Sequence, residues 1–417
     1  MTTEARPERT IPGPVIVLPV LVFAAAIVSI SAYWLFSKAH SAPGPPPSIA
    51  VLPFEGDRLG DGIASQIIAE LSPIAGFETI AGSSSFAMRA NPDTRDIAQK
   101  LNVRTLVLGH VERSSGHVKV AARLIRADDE IPLWSKTYDR DADEIFDIED
   151  EISSAIVDAM GMKPLVPLDH ARPTSLEAYD LYLAGNFAEA TARDPKYAPA
   201  YAALAKADRR ARSIPKARAE ADKGLELDPR LGAAYVVLGQ VRAFNDWDWN
   251  GARGEFERAL SMNPADPEAL RGMAMMVLAP EGRIKDAAGE MNRVMDLDPL
   301  NTAAAAQLGM LYYLDHQFDA ASTQLKKVDS AEARELLWNV DADSGKPAAG
   351  GNRDQTPFGK ACAAARLGDK AQTLNELDQA YDQHDERLAY LKTWPAFDAV
   401  RSEPRFQALL VKMHLAR

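Results

Sequence analysis

A glycine-rich turn close to residue 56 has the residue types of a phosphate-binding loop. In SIAVLPFEGDRLGDGIA, which begins at Ser48, an apolar run leads into three glycines and then into a second apolar series. The turn matches neither GxxxxGK[ST] nor GxGxxG, and it contains no lysine. Its three carboxylates would repel a phosphate group. We therefore interpret the stretch as a strand, a turn and a helix, with Asp61 as the helix N-cap.

Other residues that could support catalysis or bind a metal are isolated in the sequence. The serines at 82–85 lack the G-x-S-x-G pattern of a hydrolase nucleophile, and HExxH does not occur. Of the seven histidines, only His110 and His117 can approach each other, and two imidazoles without a third ligand rarely form a metal site. The single cysteine, Cys362, lies in an alanine-rich stretch and is predicted to be a small buried apolar residue. We therefore predict no catalytic residue, no metal, no cofactor and no enzyme activity.

The composition is typical of a folded protein with more than one domain. The chain has 417 residues, of which 47% are apolar and 25% are charged. The net charge of −12 argues against a nucleic-acid partner, because binding to phosphates requires a basic face. One cysteine cannot form an internal disulfide, which is compatible with either the cytosol or the periplasm.

An uncharged apolar stretch at 15–36 predicts a single transmembrane helix. Its 22 residues would span about 33 Å as a helix, enough for the apolar core of a bilayer. The alternative is a cleavable signal peptide, since AHSA at 39–42 has small residues near a possible cleavage site. We favour an uncleaved anchor because the stretch exceeds the roughly 7–15 residues of a signal-peptide core. An N-terminal tail occupies 1–14, and a proline-rich linker occupies 37–47.

The charges around this stretch predict its orientation. Arg6, Arg9 and the amino terminus precede it, and positive residues favour the cytoplasmic side. We expect a single-pass protein of the bacterial inner membrane with its C-terminal bulk in the periplasm.

Residues 48–162 predict a small α/β domain with a mixed sheet and helices. After the first strand, three apolar residues lie on one helical face: Ile63, Ile67 and Leu71. FETIA at 77–81 is a short strand candidate, and Asn91 before Pro92 predicts a helix start. RTLVLGHVER and HVKVAARLIRA flank SSG as a hairpin, and PLWSKTYDR is a third neighbouring strand. The acidic residues at 147–151 are interpreted as the solvated start of a closing helix.

A repeat of 34–35 residues follows and predicts an all-α tetratricopeptide solenoid at 174–330. An aspartate or asparagine before proline recurs at spacings of 34, 35 and 35 residues, the last pair being Asp298 and Pro299. The second and third units have one extra residue, around 246–250 and 280–283. A flexible break at 331–357 and further repeat-like helices at 358–417 are predicted after the solenoid.

The concave surface of this solenoid is the candidate binding site. Counting the repeat register places eight residues on or near it: Lys206, Arg209, Gln240, Phe244, Arg271, Met275, Met310 and Tyr313. Arginine, methionine and aromatic side chains suit a peptide or the helix of a protein partner. Two alternatives are a solvated groove without a dedicated ligand and a groove filled by the protein's own C-terminal segment.

Several stretches together resemble a bacterial family that joins a TolB-N-like (FlgO-like) α/β domain to tetratricopeptide repeats. They are SIAVLPF, DGIASQIIAELS, LNVRTLVLGHVERSSGHVKVAARLI, LWSKTYDRDADEIFDIEDEIS, DWDWNGARGEFERAL and PAFDAVRSEPRFQALL. In this family an adenylate-cyclase-like or winged-helix DNA-binding module often precedes the membrane span. About fourteen residues precede Val15 here, so neither module is expected.

The resemblance implies an architecture rather than a reaction. We expect a membrane-anchored, non-enzymatic scaffold or adaptor that binds a protein or peptide partner through the repeat groove. The alternative is a sensory or regulatory subunit that acts with a separate cyclase or transcription regulator. The sequence makes no prediction about the oligomeric state.

Overall fold

The computed structural model describes residues 48–74, 76–162, 172–346 and 354–416. The predicted tail, transmembrane helix and linker at 1–47 lie outside these residues. Within the described ranges, no helix is both long enough and apolar enough to cross a membrane.

A five-stranded mixed sheet forms the first part of the described chain. The strands are β1 (Ser48–Val51), β2 (Glu78–Thr79), β3 (Thr105–Ser114), β4 (His117–Arg126) and β5 (Pro132–Asp141). Their order is β2-β1-β3-β4-β5, with β1 parallel to β2 and β3 and with antiparallel pairing from β3 to β5. The predicted mixed sheet and its hairpin are therefore confirmed.

Four helices cover the two faces of this sheet. They are α1 (Arg58–Leu71), α2 (Gly82–Ala87), α3 (Thr94–Leu101) and α4 (Ile145–Ala159). Ile49 and Val51 of β1 join one apolar cluster, and Ala50 joins another on the opposite side of the sheet. β1 is thus covered on both faces, as its unbroken apolar run indicates.

Two predicted helix starts are wrong by a few residues. Asp57, not Asp61, caps α1, because its carboxylate accepts the backbone N–H of Leu59 at 2.9 Å from an extended position before the helix. Asp93, not Asn91, caps α3 in the same way. The N-cap is the residue immediately before the first helical residue, and Asp61 lies too far into α1 and Asn91 too far before α3 to take that position.

The rest of the described chain is largely helical, and most of its helices stack in antiparallel pairs. They are α5 (Leu176–Leu183), α6 (Phe187–Arg193), α7 (Ala198–Arg210), α8 (Ile214–Leu227), α9 (Gly232–Phe244), α10 (Trp249–Met262), α11 (Pro267–Met273), α12 (Ile284–Leu297), α13 (Thr302–Leu314), α14 (Phe318–Leu325), α15 (Ala331–Asp343), α16 (Pro357–Arg366) and α17 (Lys370–Asp382). The four pairs from α7 to α14 are the predicted repeats.

Two features differ from the predicted solenoid. The segment 331–357 is not a continuous break, since α15 lies within it, and 347–353 lie outside the described residues. In the third repeat, a π-helical turn at Ala274–Leu278 follows α11. A π-helical turn takes in one residue more than an α-helical turn, so it accommodates the extra residue that was predicted in the loop.

The turns between repeats contact the α/β domain. Ser83 and Ser84 donate hydrogen bonds to the carboxylate of Asp298, at 2.7 and 2.5 Å. The amide of Asn263 donates to the hydroxyl of Ser72 at 2.9 Å. The residues that define the sequence period therefore also attach the solenoid to the sheet domain.

Beyond α17, the chain returns over the repeats. Two 3₁₀ helices, Glu386–Tyr390 and Pro395–Val400, precede a last helix, α18 (Pro404–Lys412). We call residues 385–416 the C-terminal segment.

Candidate functional site

The eight predicted groove residues fall into two groups. Gln240, Met275, Met310 and Tyr313 are buried, with at most 9% of each exposed. Lys206, Arg209, Phe244 and Arg271 are partly exposed. Only the second group is therefore accessible to a partner at the surface.

The C-terminal segment packs against part of the buried group. Met275, Met310 and Tyr313 belong to one apolar cluster that also includes Leu388 and Trp394. The Trp394 ring lies edge-on to Tyr313, with 5.4 Å between the ring centroids. This end of the groove is thus filled by the protein's own chain, one of the alternatives left open by the sequence.

A buried polar network lies next to the filled end. The Tyr313 hydroxyl donates to the Asp343 carboxylate at 2.5 Å, and Arg366 binds both oxygens of the same carboxylate. Burial, together with the nearby Asp343, raises the pKa of Tyr313 well above its ordinary value. Burial also raises the pKa of the Cys362 thiol to about 12, so this cysteine is an unreactive apolar residue, as predicted.

The end of the C-terminal segment is attached to the widened turn of the second repeat. The Trp249 indole N–H donates to the carbonyl of Met413 at 2.7 Å, and His414 Nδ1 lies 3.2 Å from the carbonyl oxygen of Trp247. Trp247 has a φ of +52°, which is uncommon for a bulky side chain. Both tryptophans therefore stabilise the turn and also hold the segment. A cavity of about 680 Å³ remains between them and Lys392.

The apolar area under this segment is too large for the segment to act as a displaceable lid. Eight of its large apolar side chains are at most 3% exposed: Leu388, Leu391, Trp394, Phe397, Val400, Phe406, Leu409 and Met413. At roughly 1.5–3 kcal/mol each, their burial contributes on the order of 12–24 kcal/mol. That is comparable to the whole stability of a typical domain, about 5–15 kcal/mol. The segment is therefore a permanent part of the fold.

A second part of the concave surface, on α7 and α11, is cationic and partly exposed, and we call it the open end. Lys206 forms an ion pair with Glu268. Within the part of the chain that the structure describes, the guanidinium groups of Arg209, Arg210 and Arg271 form no hydrogen bond or ion pair. Burial lowers the pKa of Arg209, and the charges of Arg210 and Arg271 lower it further, against the opposing effect of Glu386. This end can receive an anion.

Close backbone packing explains the glycines at 56 and 60. Gly56 has a φ of +128°, and a Cβ there would lie 2.3 Å from the Val111 carbonyl oxygen. A Cβ on Gly60 would lie 2.5 Å from the Phe54 carbonyl oxygen. The glycines are needed because the turn packs directly against the backbone of β3 and of the residues after β1.

The histidines of the hairpin do not come together. His110 lies opposite Ala121 and 3.2 Å from Glu112, whereas His117 lies opposite Ser114 and 3.3 Å from Asp141. Among the described residues, no group of three potential metal ligands forms.

One buried acid was not identified from the sequence. Glu149 was predicted to lie in a solvated helix start, but it is 1% exposed and faces α5, where the Tyr179 hydroxyl donates to it at 3.1 Å. Burial raises its pKa to about 8, with further contributions from the charges of Glu70 and Asp150. Glu149 is four residues after Ile145 and three before Ile152, so it lies on the buried face of α4. This spacing could have predicted its burial from the sequence.

Comparison with known proteins gives a partial likeness. No known protein family matches the chain. A protein of Rhizobium meliloti (strain 1021) named adenylate cyclase 3 is 31% identical over 251 residues, which cover 55% of this chain and 40% of that protein. The chain thus spans about two fifths of the length of this curated relative.

Two solved structures are similar to different parts of the chain. TolB from Acinetobacter baumannii is 20% identical over 29% of this chain and 30% of its own, with a TM-score of 0.24. YrrB, a TPR protein with an unusual peptide-binding site, is 24% identical over 49% of this chain and 95% of its own, with a TM-score of 0.29. The assignment of the repeats rests on the helix pairs described above.

Proposed function

We propose that this protein is a membrane-anchored, non-enzymatic scaffold or adaptor that binds a protein partner at the open end of its repeat surface. The observation that carries the proposal is the partly exposed cationic group around Arg209 and Arg271, close to residues of the concave surface that are buried. Stacked helical repeats present such surfaces to peptides and helices. The uncharged stretch at 15–36 supports anchoring in the bacterial inner membrane, with the repeats in the periplasm.

A second candidate is a sensory or regulatory subunit that acts with a separately encoded cyclase or transcription regulator. The similarity to part of a protein named adenylate cyclase favours it. Deletion of the gene would then change cyclic-AMP levels or the output of a neighbouring regulator, whereas loss of a scaffold alone would leave both unchanged.

In-cell crosslinking followed by mass spectrometry tests the leading proposal. We expect a partner to be recovered from the membrane fraction with the wild-type protein and to be lost with Lys206→Glu or Arg271→Glu. Arg123→Glu is the matched control, because Arg123 is an exposed residue of β4, far from the repeats in sequence. A partner that survives both substitutions, or a protein found only in the soluble fraction, would contradict the proposal.

A further inference from the structure

We infer that the partner contributes an acidic protein segment, whose carboxylates bind the arginine cluster formed by Arg209, Arg210 and Arg271. This inference rests on the proposed function and specifies the chemistry of the partner.

The cluster is electrostatically incomplete in the chain itself. The protein has 59 acidic and 47 basic residues, so carboxylates outnumber the cationic side chains with which they could form ion pairs. These three guanidinium groups nevertheless lack an ion pair or hydrogen bond among the described residues, and the Arg209 Nε is shielded from solvent without an acceptor. A half-buried guanidinium without a partner is costly, so an added anion has a favourable interaction to gain.

The neighbouring acids are already engaged or too distant. Glu268 forms its ion pair with Lys206 and acts on Arg209, Arg210 and Arg271 only through its charge. The Asp266 carboxylate accepts the N–H groups of Glu268 and Ala269 as the cap of α11. Glu386 influences Arg209 through its charge but forms no ion pair with it. The three arginines can therefore still form ion pairs with carboxylates of another molecule.

The surroundings favour a peptide over a nucleic acid. Phe244 is half-buried on the same concave surface, and Tyr390 lies close enough to Arg271 for its pKa to respond to that charge. Planar guanidinium groups bind carboxylates through two parallel hydrogen bonds. The net charge of −12 would repel an extended polyanion, whereas a short acidic segment meets only the local positive potential.

Fluorescence anisotropy with the full-length protein in detergent tests the inference. The probe is a short fluorescein-labelled peptide of glutamate, serine and leucine, compared with the same peptide carrying glutamine for glutamate. We expect binding of the acidic peptide only, weakening with added salt. The double variant Arg209→Glu/Arg271→Glu should bind it at least about tenfold more weakly, equivalent to about 1.4 kcal/mol.

Two further variants make the result interpretable. Arg95→Glu/Arg123→Glu makes the same charge change at exposed positions of the α/β domain and should bind normally. Arg209→Gln/Arg271→Gln removes the charges without reversing them, and it should also lose binding if its circular dichroism spectrum matches the wild type.

Two outcomes would overturn the inference. One is equal binding of the glutamate and glutamine peptides, and the other is tighter binding of a single-stranded RNA oligonucleotide than of the acidic peptide. Neither outcome refutes the proposed scaffold role, because a crosslinked protein partner lost with Arg271→Glu would still support it.

Discussion

The two ends of the concave surface use equivalent repeat positions for opposite purposes. At the filled end, Tyr313 packs against Trp394 of the C-terminal segment, and Met310 belongs to the same apolar cluster. At the open end, Lys206 and Arg209 occupy the equivalent positions three repeats earlier and remain partly exposed. The position of a residue within a repeat therefore determines which surface it faces, whereas the remainder of the chain determines whether that surface is available.

Two buried carboxylates differ in how they are paired. Asp343, at the filled end, binds Arg366 and accepts a hydrogen bond from the Tyr313 hydroxyl. Glu149, in α4 of the α/β domain, accepts a hydrogen bond from the Tyr179 hydroxyl, and burial raises its pKa. Protonation of Glu149 should therefore affect stability near neutral pH.

The largest effect is expected from Trp394→Ala at the filled end. Its ring is 3% exposed and lies edge-on to both Tyr313 and Phe358, so its removal leaves a cavity. The free energy of unfolding should fall by about 3–5 kcal/mol, measured by urea denaturation. Val411→Ala, at a position that is 60% exposed, should change it by less than about 0.5 kcal/mol. A small effect of Trp394→Ala would mean that the segment is loosely held and that the filled end can open.

An intermediate effect is expected from Glu149→Gln, which should change how the free energy of unfolding depends on pH. The pKa of Glu149 is raised from 4.5 to about 8 in the folded protein, so the folded state holds one proton more than the unfolded state between these values. The free energy of unfolding should therefore fall as pH rises through this window and level off above it. Glu149→Gln should remove that part of the slope in denaturation series collected between about pH 5 and 8.

Glu151→Gln provides the control for that experiment. Lys136 and Arg140 hold the pKa of Glu151 below its ordinary value, so its contribution to stability changes only in more acidic solution. An unchanged slope in Glu149→Gln would mean that this carboxyl is not buried as the structure places it.

The smallest effect is expected from Lys206→Met at the open end. More than a third of each side chain in the pair with Glu268 is exposed, so solvent screens the attraction. The free energy of unfolding should change by about 1 kcal/mol or less in urea. A loss of several kcal/mol would show that the open end is a structural element like the filled one, and the distinction between the ends would fail.

The sequence predicted the fold better than the site. The period of the Asx-Pro pairs located the repeats, and alternation located the hairpin, because both patterns reflect local geometry. The short strand at 77–81 contracted to Glu78–Thr79, and α2 and α15 were missed. In these segments few apolar residues mark a face, and tertiary contacts such as that between Ser84 and Asp298 fix the conformation.

The groove shows the limit of periodicity most directly. The register placed Met275 and Tyr313 on the concave face, and the structure buries both in the apolar cluster that includes residues of the C-terminal segment. What covers a face depends on residues more than seventy positions away along the chain, such as Trp394, and no local pattern specifies that pairing. For the same reason, no local pattern predicts that Arg209, Arg210 and Arg271 lack an ion pair among the described residues.

The hydrogen bonds between the repeat turns and the α/β domain also have a mechanical consequence. A solenoid whose turns are free behaves as a spring, because each repeat contacts only its neighbours and small rotations accumulate along it. Here Asp298 is fastened to Ser83 and Ser84, and Asn263 is fastened to Ser72. A pull on the open end would therefore load the sheet domain directly instead of being absorbed by extension of the repeats.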